Sequence, residues 1–178
     1  MILDVGCGGS FEQQFMPSTW NSNVQLDIRK PIEKRENFVL ASAEAMPFRD
    51  GVFHLAESFD VLEHVDSPVQ MMREMRRVAK RILLLTPNSL HLPCGLMSIV
   101  RKSSCYEPHH DHVCVWSKAE MIGLLNRVGF PKYEVSFTDG YGDKQHTHHA
   151  HWYIRLLMLF IPFQALRYRA LLVTAENN

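Results

Sequence analysis

The sequence carries no excess of charge: 19 Lys and Arg balance 19 Asp and Glu among 178 residues. Without a net field, long-range attraction to DNA or tRNA is lacking, and a local basic patch would be needed to bind either. Cysteine is scarce. Cys7, Cys94, Cys105 and Cys114 form no CxxC pair, and no secretory signal is evident. Both facts argue against a disulfide framework or a zinc knuckle, and they fit a reducing, cytoplasmic setting. Long apolar runs are absent as well. The longest, Ile154 to Phe163, is interrupted by Arg155 and Pro162, whereas a membrane-spanning helix needs about 20 apolar residues. Repeats, low-complexity tracts and a clear linker are also missing. What remains is 46% apolar and 21% charged, an ordinary globular composition. A chain this long buries roughly 70% of its unfolded surface, enough for one domain.

Short apolar runs recur along the first half. Ile2 to Val5 reads as a buried strand entering the glycine turn Gly6-Cys7-Gly8-Gly9. Further strands are expected at Val24 to Ile28, stopped by Pro31, at Phe38 to Leu40, and at Phe53 to Phe59. Pro68 follows Ser67 and opens a helix whose apolar positions Val69, Met72, Met75, Val78 and Ala79 keep helical spacing. On that helix Arg73, Glu74, Arg76 and Arg77 are expected mostly to face water. Ile82 to Leu85 is a fifth, fully apolar strand. In the second half Ser117 and Glu120 form a capping-box pair, and Gly129 stops that helix. A helix broken near Pro93 is expected at Leu90 to Val100, and strands at Tyr133 to Thr138 and Leu171 to Ala175. Strands alternating with helices predict a mainly parallel sheet covered on both faces.

Two features suggest a nucleotide-like ligand. The glycine turn after the first strand lets backbone approach a ligand closely, although any strand-to-helix corner can use one. Asp27, at the end of the next strand, is placed to take the two ribose hydroxyls of an adenosine; a strand-end Asp can also be surface or a cap. A dinucleotide oxidoreductase is disfavoured because residue 11 is Phe, where the G-x-G-x-x-G pattern wants its third glycine.

Taken in order, five motifs stand in register. They are Asp4-Val5-Gly6-Cys7-Gly8-Gly9-Ser10, Asp27, Ala43-Glu44-Ala45-Met46-Pro47-Phe48, Asp60-Val61-Leu62-Glu63-His64-Val65 and Leu83-Leu84-Leu85-Thr86-Pro87-Asn88. Together they resemble the class I S-adenosylmethionine-dependent methyltransferases, in the small-molecule, type 11 branch. The resemblance covers residues 1 to about 90 strongly and fades beyond. It implies a Rossmann-like α/β fold with a seven-stranded sheet in the order 3-2-1-4-5-7-6, the last strand antiparallel. It also implies one domain, residues 1–178, with a cofactor-binding half to about residue 90 and an acceptor-side half beyond. By the same resemblance Asp4, Gly6, Cys7 and Gly8 would meet the methionine part of S-adenosylmethionine. Asp27 would hold the ribose and Ile28 would pack on adenine. Ala43 and Glu44 would lie at the adenine rim, and Phe59 near the sulfonium.

Three departures from the family pattern stand out. Ser42 replaces the Asp that touches the adenine amino group, and His54 replaces the Asp of the usual Phe-Asp opening of the fourth strand. The sequence also begins within the first strand, without the family's preceding helices, so one flank of the site is expected to be exposed. These departures keep open a second reading, a non-catalytic binding or regulatory module.

Methyl transfer can proceed by alignment alone, but a hydroxyl acceptor would be helped by a base. His64 is the candidate base, because its corner lies at the sheet's carboxyl edge; a turn-shaping role suits it equally. His109-His110-Asp111-His112 has ligand-type residues, yet neighbours on one loop cannot all converge on one ion, so no metal is expected. The second cluster, His146, His148, His149 and His151, is expected to be a solvated loop. The apolar segment Trp152 to Tyr168 suits a helix packed on the sheet. It also suits an apolar acceptor pocket or a membrane-surface contact, with Arg155, Arg167 and Arg169 beside it. The acceptor expected is a small, lipophilic molecule, with no nucleic acid partner.

Overall fold

The computed structural model describes residues 1–7, 24–31, 34–91, 113–138, 164, 168 and 170–177. Gly8, the segment expected as a helix beyond His91, both histidine clusters and nearly all of Trp152 to Tyr168 lie outside them. Seven strands are described: β1 (Ile2–Val5), β2 (Val24–Asp27), β3 (Phe38–Leu40), β4 (Phe53–Phe59), β5 (Ala79–Pro87), β6 (Lys132–Thr138) and β7 (Ala170–Glu176). They form one sheet in the order β3-β2-β1-β4-β5-β7-β6. The first five pair in parallel, while β7 runs antiparallel between β5 and β6. This is the Rossmann-like arrangement and order the motifs imply.

Two helices are described, α1 (Pro68–Val78) and α2 (Lys118–Val128). α1 buries Met71, Met72, Met75 and Val78, and α2 buries Met121, Leu124, Leu125 and Val128. These side chains join Leu3, Val5, Leu26, Ala56, Leu84 and Val173 from the strands in one core. α1 packs on β4 and β5, α2 on β6, and the two helices touch.

Three local expectations need correction. Ala79 is not the last helical residue but the first of β5, because its backbone is extended (φ −128°, ψ 152°) and α1 passes straight into the strand. Ser67 occupies the N-cap position without capping through its side chain. Its own N–H instead donates to Glu44 Oε1 at 2.6 Å. Nor do all four charged residues of α1 face water. Only Arg73 is exposed, while Glu74, Arg76 and Arg77 are half-buried. Arg77 donates to the carbonyls of Met46 and Phe48 and to Glu74 and Asp50, and Arg76 donates to Val128 O. Long side chains reach carbonyls that periodicity cannot reveal.

Candidate functional site

Strand order reverses between β1 and β4, since β2 and β3 lie to one side and β5 to the other. In open parallel sheets this switch point leaves a crevice outside the carboxyl ends of the strands, where ligands bind. Asp4, Gly6 and Cys7 from β1, Asp27 and Ile28 from β2, and Phe59 and Asp60 from β4 all reach that edge. Ser58 Oγ donates to Val5 O at 3.0 Å and ties β4 to β1 beside it.

Gly6 is a glycine for reasons internal to the corner. Its φ is +77°, which side chains disfavour. A Cβ there would also collide with the Val61 side chain. The Gly6 and Cys7 amides both donate to Leu26 O, at 2.8 and 3.3 Å. Backbone bonding thus fastens this turn to β2 and sets the distance between β1's end and Asp27.

Asp27 is 8% exposed, with Oδ1 accepting from the Arg29 amide at 2.7 Å. Asp4 and Asp27 both act on the buried Cys7 thiol. Its pKa is pushed up to about 12, first by burial, then by these two negative charges, with Arg35 opposing. The thiol therefore stays protonated at neutral pH, mainly because it is buried. Ile28 beside it is 71% exposed, an apolar surface open to a ring.

The loop after β3 is less clearly a ligand surface. Ala43 is buried in the core, and Glu44 Oε1 is bonded to the start of α1. Ser42 Oγ accepts from the Glu44 amide at 3.1 Å, so the hydroxyl standing in for the family's Asp shapes a turn. Phe59 is half-buried at the end of β4. His64 is half-buried and its amide donates to Val61 O at 2.9 Å, closing the turn before α1.

Sequence reasoning missed two residues of this corner. Asp60 has a φ of +53°, a left-handed conformation uncommon outside glycine and enriched at functional sites. Glu63 is fully buried, and its pKa is pushed up to about 8 by burial first and by Asp60 second. A charged residue between Leu62 and His64 gave no local cue to its burial. Among the described residues no group of His, Cys, Asp and Glu could hold a metal ion. No described helix is long and apolar enough to cross a membrane. A cleft of about 500 Å³ lined by Arg73, Arg76, Arg77, Val128, Pro131 and Asn177 lies at the opposite edge of the sheet, away from these residues.

Comparison with known proteins agrees with this fold. Residues 3–82 match the methyltransferase domain family. An uncharacterized protein of Methanocaldococcus jannaschii is 31% identical over 84 residues, covering 45% of this chain. The match spans only 36% of that relative's length. An S-adenosylmethionine-dependent methyltransferase of Archaeoglobus fulgidus superposes with a TM-score of 0.65 at 15% identity, over 99% of this chain and 85% of its own. The small RNA methyltransferase HEN1 superposes with a TM-score of 0.62 at 13% identity, over 99% of this chain and 24% of its own. The family match thus covers a little under half of the chain, residues 3–82, and the solved structures share the fold of nearly all of it.

Proposed function

We propose that this chain binds S-adenosylmethionine at the carboxyl edge of β1, β2 and β4 and transfers its methyl group to a small, lipophilic molecule. The observation that carries the reading is Asp27, a buried carboxylate at the end of β2 beside the switch point. In this reading Asp27 holds the ribose hydroxyls, Ile28 packs on the adenine, and Ala43 and Glu44 border it. Asp4 attracts the ammonium of the methionine part, alongside Gly6, Cys7 and Gly8, and Phe59 lies by the sulfonium. The carboxylates of Asp4 and Asp27, both close enough to act on Cys7, support a cationic ligand. The bound cofactor supplies a methyl carbon on a positively charged sulfur, so alignment can provide much of the acceleration.

His64 would take a proton from a hydroxyl acceptor. The acceptor side is assigned to residues beyond about 90. Leu90, Val113 and Val115 are exposed apolar residues near the end of β5 and support a lipophilic acceptor. A second reading, binding without turnover, is favoured by the engagement of Ser42 Oγ in its own turn.

Calorimetric titration with S-adenosylhomocysteine, with NADH as control, tests the cofactor. Saturable micromolar binding of the first alone is expected. Asp27→Ala should weaken it ten-fold or more, on the order of 1.5–3 kcal/mol for a charged hydrogen-bond partner. Unchanged affinity would remove Asp27 from the ribose.

A further inference from the structure

Glu63 lies where three pieces of chain meet. Its Oε2 accepts from Thr86 Oγ1, near the end of β5, at 3.2 Å. Its backbone carbonyl accepts from the Val113 and Cys114 amides at 2.7 and 3.3 Å. The segment bearing those amides continues to Trp116, which bridges to Asn88 just beyond β5. Along it Val113 and Val115 are exposed, while Trp116 packs against the core. Oε1 is buried with no hydrogen-bond partner among the described residues. Among the described residues, the titratable groups acting on Glu63 are Asp60 from its own corner and the Cys114 thiol from segment 113–116; β5 presents the neutral Thr86 hydroxyl. None of these supplies positive charge, and a buried carboxylate without a cation is costly.

We propose that Glu63 is a positioning residue: its backbone carbonyl holds segment 113–116 while its buried, uncharged carboxyl keeps the corner bearing His64 packed against β5, and the two together set the acceptor side of the site. The acceptor role rests on the methyl-transfer reading; the lock itself does not. Thr86 donates to Oε2, so the proton belongs on Oε1. Ionisation puts a second negative charge beside Asp60 in a dry position. Water must then enter, and segment 113–116 lifts from the corner, exposing the Trp116 ring.

A full-length chain with Trp116 as its only tryptophan (Trp20→Phe, Trp152→Phe) reports this by fluorescence between pH 6 and 9.5. The expected result is a red shift with a midpoint near pH 8, abolished by Glu63→Gln. Thr86→Val removes the bond that favours the charged form and should raise the midpoint by about half a pH unit. A midpoint that persists in Glu63→Gln, or no transition in the parent, overturns the proposal. The titration needs no cofactor. Failure of S-adenosylhomocysteine to bind, with the titration intact, would count against the methyl-transfer reading and leave the lock standing.

Discussion

The two described helices are finished in opposite ways. α2 carries its start and stop signals in its own segment: Ser117 Oγ accepts from the Glu120 amide, Glu120 accepts from the Ser117 amide, and Gly129 adopts the left-handed conformation at φ +86°, with Arg76 adding one bond to the final carbonyl, Val128 O. α1 is finished by distant residues. Glu44, 23 positions earlier, accepts from the Ser67 amide. Asn177, about 100 positions later, donates to the carbonyls of Arg76 and Ala79 and accepts from Arg76 Nε at 3.1 Å. α2 therefore carries most of its end contacts within its own segment, whereas α1 and the corner that feeds it take theirs from residues far along the chain. The site corner belongs to the second kind, with Glu63 joined to Thr86 and to Val113.

The largest expected effect lies in that remotely built part. Glu63 has a native pKa raised from 4.5 to about 8. The folded chain thus holds a proton that the unfolded chain releases between those values. The stability it contributes is full below about pH 4.5 and is lost as pH rises toward 8. That loss is on the order of 5 kcal/mol across the window. Urea midpoints against pH should show the fall, and Glu63→Gln should flatten it; a parallel fall in both would assign the effect elsewhere. Next comes the remote cap of α1. Asn177→Ala leaves two carbonyls and a guanidinium donor short of a partner and should cost about 2 kcal/mol in chemical denaturation. The local cap is smaller: Ser117→Ala should cost about 1 kcal/mol. If Ser117 outweighed Asn177, the contrast between the helices would collapse.

The same contrast explains what could be read in advance. The capping box, the Gly129 stop, the Pro68 start and most strand runs carry their signals within a few residues and stand within a residue of where the sequence puts them; the fifth strand is the exception, running over Ala79–Pro87 where Ile82 to Leu85 was expected. Sheet order followed from five motifs in register. The helix-like spacing through Ala79 misled, because pairing with Phe53 draws that residue into β5. Arg76 and Arg77 looked solvated because their partners, Val128 O, Met46 O and Phe48 O, are far along the chain. At the site, Gly6 and Asp27 were visible as residue types. Glu63 was not, since nothing beside it in sequence foretells its burial, and Val61 standing over Gly6 was equally hidden.

The position of β7 bears on how the protein is made. Among the described strands β6 pairs with β7 alone, and β7 in turn pairs with β5. During synthesis β6 emerges with no neighbour to receive it and waits until residues 170–176 have been added. Until then the outer edge of β5 is an open strand on the nascent chain, able to recruit the wrong partner. A ribosome pause between residues 138 and 170 would prolong that exposure. The yield of folded protein should therefore depend on translation speed through this stretch more than anywhere earlier in the chain.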